Sequence, residues 1–115
     1  MDADLSHDPN EIKNFINYLS DFPFVIGSRY IKGGKCLMSG KRFLMSKFGN
    51  KLIKKVLQIN SNEFTTSYRG FNISKLKNFH LNNVKNKGYS FFMGTLFEID
   101  KLGYKIKEIP IIFQN

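Results

Sequence analysis

Residues 8–28 read DPNEIKNFINYLSDFPFVIGS, and they decide the fold class because a helix pattern is followed at once by a strand pattern. Asp8 is suited to cap a helix, Pro9 suits its first position, and Glu11 completes the spacing of a capping box. Apolar residues then recur on one helical face, at Ile12, Phe15, Ile16 and Leu19. We therefore predict a helix from Pro9 to Leu19, followed by a short buried strand at residues 24–26.

Two more helices are predicted after a basic, glycine-containing loop at residues 27–40. The first spans residues 41–57, and we expect it to carry an apolar stripe and outward-facing lysines. The stripe consists of Leu44, Phe48, Leu52 and Val56, and the lysines are Lys47, Lys51, Lys54 and Lys55. The second helix spans residues 91–102 and ends at Gly103, a residue suited to a left-handed cap.

The remaining segments are shorter. Residues 60–69 are polar and predict a turn region, and residues 73–79 predict a short helix or turn. Residues 104–106 and 109–113 predict one or two closing strands, with Pro110 at an edge or a bulge. Helices that alternate with short apolar strands favour an α/β sheet.

Length and charge limit the possible classes of protein. The chain has 115 residues and a mass of 13.4 kDa, which predicts one domain at most. Its 18 Lys and Arg against 9 Asp and Glu give a net charge of +9, which favours anionic partners without choosing among them. Cys36 is the single cysteine, so no disulfide forms within the chain. No apolar run approaches the ~20 residues of a spanning helix and no signal peptide follows Met1, so we expect a chain that is soluble or lies on a membrane without crossing it.

Two acidic residues near the start suggest a metal site. Asp2 and Asp4 are two residues apart, so in an extended segment both carboxylates point to one side. Ser6 lies on the same side and can add a hydroxyl. Hard oxygen ligands suit Mg²⁺ or Mn²⁺, which can also bridge a diphosphate. Solvated surface acids, or a helix cap, are the alternative interpretation.

The arginines suggest phosphate recognition. The chain has only three, and Arg29 and Arg42 lie within or next to the glycine-containing loop. Arginine presents a planar fork that binds phosphate through two hydrogen bonds. Residues 65–69, which include Ser67 and Arg69, are of a type that can cradle a phosphate or a sugar. Ordinary surface charge and a polar surface turn are the alternatives.

Taken in order, these motifs resemble dolichol-phosphate mannosyltransferases, which are polyprenol-phosphate glycosyltransferases of glycosyltransferase family 2. The resemblance covers essentially the whole chain. Its most specific part is MDADLSHDP at residues 1–9 joined to VIGSRY at residues 25–30. Further matching segments are residues 33–34, 41–42, 65–71, 88–91 and 102–113.

The resemblance implies a role for each matching residue. Asp2 and Asp4 match the acids that hold the cation and the nucleotide-sugar diphosphate, and Ser6 lies near that metal. Arg29 and Arg42 match basic residues that contact the donor and acceptor phosphates. Asp4, Arg29 and Arg42 are thus the expected catalytic residues, with Mg²⁺ or Mn²⁺ as cofactor. The implied reaction transfers mannose from GDP-mannose to a polyprenyl or dolichyl phosphate with inversion.

The resemblance also implies substrate contacts at Ser67 and Arg69, although residues 66–68 replace the usual Ser-Gly-Phe. Gly94 stands where the family usually has a glutamate. The implied setting is the cytoplasmic face of a membrane, with peripheral membrane contact.

For the fold, the resemblance implies the C-terminal half of a glycosyltransferase A-type domain. Residues 1–115 would form a partial catalytic domain that lacks the N-terminal nucleotide-binding strands, which a separate chain could supply. The alternatives are a related hexosyltransferase, an inactive fragment and, in another class, a small basic nucleic-acid-binding module. We expect no nucleic-acid partner, because no recognised motif of that class is present.

Overall fold

The computed structural model describes residues 8–36, 40–64, 66–80, 84 and 89–113. Within these residues, three helices and five short strands form a mixed α/β fold, which confirms the predicted α/β class. The helices are α1 (Ile12–Leu19), α2 (Gly40–Leu57) and α3 (Tyr89–Lys101), with single 3₁₀ turns at Pro9–Glu11 and Ile73–Lys75. The strands are β1 (Phe24–Ser28), β2 (Lys35–Cys36), β3 (Arg69–Phe71), β4 (Ile106–Pro110) and β5 (Ile112–Phe113).

Strand β1 is the centre of the main sheet, whose order is β3-β1-β4. It pairs antiparallel with β3, where Val25 lies opposite Gly70, and parallel with β4, where Val25 lies opposite Lys107. All five residues of β1 are buried, as expected for a strand covered on both faces. A second, two-stranded sheet pairs β2 with β5 in parallel and brings the loop after β1 against the end of the chain. The predicted strand at residues 24–26 is therefore confirmed and extends to Ser28.

Alternating residues of β1 feed two separate apolar clusters. Phe24 and Ile26 point into the larger cluster, and Val25 points into the smaller one, as the two-residue period of a strand requires. The larger cluster also contains Ile59, Phe64, Leu76, Phe79, Val84, Leu96 and Ile99. The smaller cluster adds Phe15, Tyr68, Ile109 and Ile111.

The first helix starts as predicted, although it buries less than its pattern suggests. The Asp8 carboxylate accepts a hydrogen bond from the Asn10 backbone N–H at 2.9 Å, and Pro9 opens a 3₁₀ turn that leads into α1. Only Phe15 of the predicted apolar face is buried. Ile16 is 62% exposed, because α1 meets the sheet with a narrow edge rather than a broad stripe.

Helix α2 starts one residue before the predicted position, and its apolar stripe faces solvent with Lys47, Lys51 and Lys55, whereas Lys54 is half-buried and donates to Asn62. Four stripe residues and the neighbouring methionine are between 57% and 76% exposed: Leu44, Met45, Phe48, Leu52 and Val56. The face turned toward the protein instead carries Asn50, which is buried and hydrogen-bonded to another segment. Ile53 and Leu57 on the same face pack against the larger apolar cluster, so polar and apolar contacts together set the rotation of the helix.

The later part of the chain agrees with the prediction at the end of α3 and differs from it in the segment before β3. Helix α3 ends as predicted before Gly103, which has a positive φ of 85°. The predicted closing strands are two, β4 at Ile106–Pro110 and β5 at Ile112–Phe113, and Pro110 ends the edge strand β4 as expected. Residues 60–64 and 66–68 are irregular as predicted, and Arg69 begins β3. They are not a surface turn, because several of their residues are buried: Ser61, Glu63, Phe64, Thr66 and Tyr68.

Candidate active site

Arg29 lies directly after β1 and is bound by a buried carboxylate. It is only 8% exposed and its partner Glu63 is fully buried. The Arg29 Nε donates to Glu63 Oε2 at 2.9 Å, and Nη2 donates to Oε1 at 2.8 Å. The Arg29 backbone N–H also donates to Glu63 Oε2, at 3.3 Å. This two-point pairing fixes the plane of the guanidinium at the end of β1.

A glycine lets the following loop fold back against this position. A Cβ on Gly34 would clash with the backbone carbonyl oxygen of Ser28 and lie 2.9 Å from the carbonyl carbon of Arg29. Gly34 is therefore required where the loop passes the Ser28–Arg29 backbone. The loop therefore folds back so that Gly34 packs against the backbone of Ser28 and Arg29.

Glu63 is held in place by its own segment and by α2. The Ser61 hydroxyl donates to the Glu63 carbonyl oxygen at 2.8 Å. Asn50 accepts from the Phe64 backbone N–H through Oδ1 at 2.9 Å and donates through Nδ2 to the Ser46 carbonyl oxygen at 2.8 Å. Asn50 therefore ties α2 to the residue that follows Glu63.

A second contact joins the end of β1 to α2. The hydroxyls of Tyr30 and Ser46 share a short hydrogen bond, and the Arg29 Cζ lies 4.9 Å from the centroid of the Tyr30 ring. Arg42 is exposed and precedes Ser46 by four residues, so the two share one helix face. The face of α2 that carries Arg42 therefore contacts Tyr30, the residue after Arg29.

Arg69 begins β3 and is bound to backbone oxygens. Its Nε, Nη1 and Nη2 donate to the carbonyl oxygens of Thr66, Phe92 and Phe64, each at 2.8 Å. Burial lowers the pKa of Arg69 to about 10, and the Glu63 charge opposes that shift. All three nitrogens serve to join β3, the preceding segment and α3. Ser67, the other predicted substrate contact, is half-buried beside them.

The predicted metal site lies outside the described residues, since Asp2, Asp4 and Ser6 all belong to residues 1–7. Within the described ranges, no group of three or more His, Cys, Asp or Glu side chains could hold a metal. Sequence reasoning missed Glu63 and Asn50 as site residues. A signal for Glu63 existed, because it is the only acidic residue between positions 22 and 97.

Two curated relatives agree with the resemblance drawn from the motifs. The chain is 32% identical over 114 residues to the undecaprenyl-phosphate mannosyltransferase of Micrococcus luteus, which covers 98% of this chain and 47% of that enzyme. It is 30% identical over 115 residues to the polyprenol monophosphomannose synthase of Mycolicibacterium smegmatis, which covers 98% of this chain and 43% of that enzyme. No protein-family model matches the chain. The chain thus resembles polyprenyl-phosphate mannosyltransferases along almost its whole length and spans somewhat under half the length of these two relatives.

Proposed function

We propose that this chain is part of an enzyme that transfers mannose from a nucleotide sugar, GDP-mannose, to a polyprenyl phosphate. The observation that carries the proposal is the similarity over 98% of the chain to two enzymes named for mannose transfer to this class of lipid phosphate. The mixed α/β fold is compatible with the C-terminal half of a glycosyltransferase A-type domain. The strands that bind the nucleotide would then come from the rest of that domain.

The proposed reaction needs orientation more than it needs a strong base. A phosphate oxygen of the lipid forms a bond to the anomeric carbon of mannose while the bond from that carbon to the diphosphate breaks. The electron pair of the broken bond leaves with GDP, and attack from the opposite side inverts the anomeric centre. The attacking phosphate is already ionised, so the protein must align the two groups and offset their mutual repulsion.

The two arginines support this reaction in different ways. The Arg42 side chain is exposed at the first turn of α2, where its fork is accessible to a phosphate. The Arg29 guanidinium is fixed by Glu63, so its charge is preorganised at the end of β1. We assign Arg42 to the lipid phosphate and Arg29 to the electrostatic environment of the phosphates. Arg69, bound to three carbonyl oxygens, positions the segment that carries Ser67.

Asp2, Asp4 and Ser6 would hold Mg²⁺ or Mn²⁺ in this proposal. Two carboxylates and a hydroxyl form a hard oxygen donor set, which matches these cations. When bound, the cation neutralises charge on the leaving diphosphate.

We propose that the chain contacts a membrane peripherally, at its cytoplasmic face, and helix α2 supports the contact itself. Its outer face, formed by Leu44, Met45, Phe48, Leu52 and Val56, is apolar and exposed, and lysines flank it. An exposed apolar face bordered by lysines is typical of helices that lie in the plane of an anionic membrane surface. Among the residues that the structure describes, none of the helices is both long and apolar enough to span a bilayer. Contact through α2 would bring Arg42 to the depth of a lipid phosphate.

A chimera provides the direct test. This chain replaces the matching 114 residues of the Micrococcus luteus enzyme, which supplies the rest of the domain. We expect metal-dependent incorporation of radiolabelled mannose from GDP-mannose into undecaprenyl phosphate, reduced at least tenfold by Asp4→Asn. Incorporation from a different nucleotide hexose alone would make the protein a related hexosyltransferase. A folded chimera without any transfer would contradict the proposal.

A further inference from the structure

A small basic pocket opens beside α2, on the side of the helix away from Arg42. Its volume is about 60 Å³. Three lysines of α2 lie on one helix face here, and the other lining residues are polar: Lys47, Lys51, Lys54, Tyr30, Asn50 and Asn62. At 3.6 residues per turn, the three lysines lie roughly 120–180° around the helix axis from Arg42. The lysines of the pocket therefore lie on a different helix face from Arg42, and Tyr30, which also contacts Arg29 and Ser46, joins the pocket to the proposed substrate site.

The lining of the pocket has three positive charges and no carboxylate. Across the described part of the chain, none of these lysines forms a salt bridge. The two nearest acids along the lining segments have other partners. Glu63 is paired with Arg29, and Glu108 accepts hydrogen bonds from the Asn62 backbone N–H at 2.8 Å and from Asn62 Nδ2 at 3.0 Å. The lining therefore presents positive charge that no carboxylate of the described residues neutralises by a salt bridge.

Neighbouring groups hold two of the ammonium groups near the pocket. The Lys54 Nζ donates to Asn62 Oδ1 at 2.8 Å, which leaves its other two N–H donors for a ligand. The Lys47 Nζ lies 5.9 Å from the centroid of the Phe43 ring. These contacts reduce the side-chain freedom that anion binding would otherwise remove.

We propose that this pocket binds a phosphate group, as a free phosphate or as the headgroup phosphate of a membrane lipid. Its size admits one small anion and not a nucleotide, and its donors are ammonium groups suited to a compact charge. Lys51 lies three residues after Phe48 and so adjoins the outer face of α2, from which a lipid headgroup can reach the pocket. The inference does not depend on sugar transfer, so its test measures anion binding rather than turnover.

The first experiment titrates the 115-residue chain with inorganic phosphate and follows backbone amide signals by NMR. We expect saturable shifts centred on residues 47–54 and on Asn62. Lys51→Gln should weaken binding roughly tenfold, since it removes one charged hydrogen bond. Lys55→Gln is the matched control, because Lys55 lies on the same helix and outside the pocket lining, and it should change binding less than twofold. Equal losses in both variants, or the absence of saturable binding, would overturn the proposal.

A second experiment identifies the source of the phosphate. Vesicles of neutral lipid and vesicles containing phosphatidic acid are compared for binding of the wild-type chain, Lys51→Gln and Lys55→Gln. A larger loss for Lys51→Gln than for Lys55→Gln on the phosphatidic acid vesicles identifies a lipid headgroup as the ligand. Equal losses on vesicles, together with a selective loss of inorganic phosphate binding, identify a soluble phosphate.

Discussion

The two faces of α2 differ in their surroundings: the inner face makes polar and apolar contacts with the protein, whereas the outer face exposes large apolar side chains. The inner face attaches to the protein through the polar Asn50, which bonds to the segment of Glu63 and so supports Arg29. The outer face carries the large apolar side chains, and it packs on no described part of the chain. The inner face is held by the Asn50 hydrogen bonds and by the packing of Ile53 and Leu57 on the larger apolar cluster, whereas the outer face is available to an apolar environment. This difference predicts that inner-face changes lower stability, whereas outer-face changes alter membrane binding.

The largest expected effect comes from the buried pair behind the inner face. Glu63→Ala leaves the Arg29 charge buried without its partner, which should lower the free energy of unfolding by about 3–5 kcal/mol. Urea unfolding monitored by circular dichroism measures this loss. Asp21→Ala, at an exposed acidic residue after α1, is the control and should change stability by less than about 0.5 kcal/mol. A loss below about 1 kcal/mol for Glu63→Ala would show that Arg29 does not depend on this carboxylate.

The next effect concerns Asn50 itself. Asn50→Ala removes two hydrogen bonds and leaves the Phe64 backbone N–H without its acceptor, which should cost about 1–3 kcal/mol. The same unfolding measurement applies, with Asn17→Ala on the exposed side of α1 as the matched control. If both asparagine variants lose equally little, the polar attachment of α2 is unimportant and the comparison of its faces fails.

Changes on the outer face should separate stability from membrane binding. In the double variant Phe48→Ser, Leu52→Ser, the free energy of unfolding should change by less than about 1 kcal/mol, because both side chains are already exposed. Partition into anionic vesicles, measured by sedimentation, should fall at least tenfold, since insertion of each apolar side chain contributes roughly 1.5–3 kcal/mol. Ile73→Ser, at an exposed position outside α2, should leave partition unchanged. A large loss of stability in the double variant would mean that this face is covered.

The smallest expected effect concerns a hydrogen bond away from α2, between Tyr68 and the segment before α1. The Tyr68 hydroxyl donates to the Asp8 carbonyl oxygen at 2.6 Å, and burial followed by the charges of Glu11 and Asp8 raises the Tyr68 pKa above 10. A raised folded-state pKa contributes stability below the unfolded-state pKa that is lost as the pH rises through the folded-state value. Tyr68→Phe should therefore cost about 1 kcal/mol at pH 8, and this cost should shrink at pH values well above 10. A cost that stays constant with pH would contradict this assignment.

Local periodicity predicted most of the secondary structure. The cap at Asp8, the buried run of β1 and the glycine after α3 are short-range signals, and each is confirmed. The stripe of α2 shows the limit of such signals. A spacing of 3.6 residues identifies an apolar face without saying whether protein, lipid or water covers it.

The candidate site was predicted only in part, because its organisation depends on distant residues. Arg29 was identified from the sequence, whereas its partner Glu63 lies 34 positions away. The three bonds of Arg69 to carbonyl oxygens follow from how β3 and α3 pack, which spacing does not encode. The predicted metal ligands Asp2, Asp4 and Ser6 lie outside the described residues and stay a prediction.

The central proposal is that this chain supplies Arg42 to bind the lipid phosphate in a polyprenyl-phosphate mannosyltransferase. The most direct measurement is the dependence of mannose transfer on undecaprenyl phosphate concentration in the chimera with the Micrococcus luteus enzyme, comparing Arg42→Gln with Lys55→Gln. We predict that Arg42→Gln lowers kcat/KM at least tenfold, because it removes a charged hydrogen bond to the acceptor, while Lys55→Gln changes it less than threefold. Equal effects of the two variants would show that only diffuse positive charge matters, and would contradict the assignment of Arg42 to the lipid phosphate.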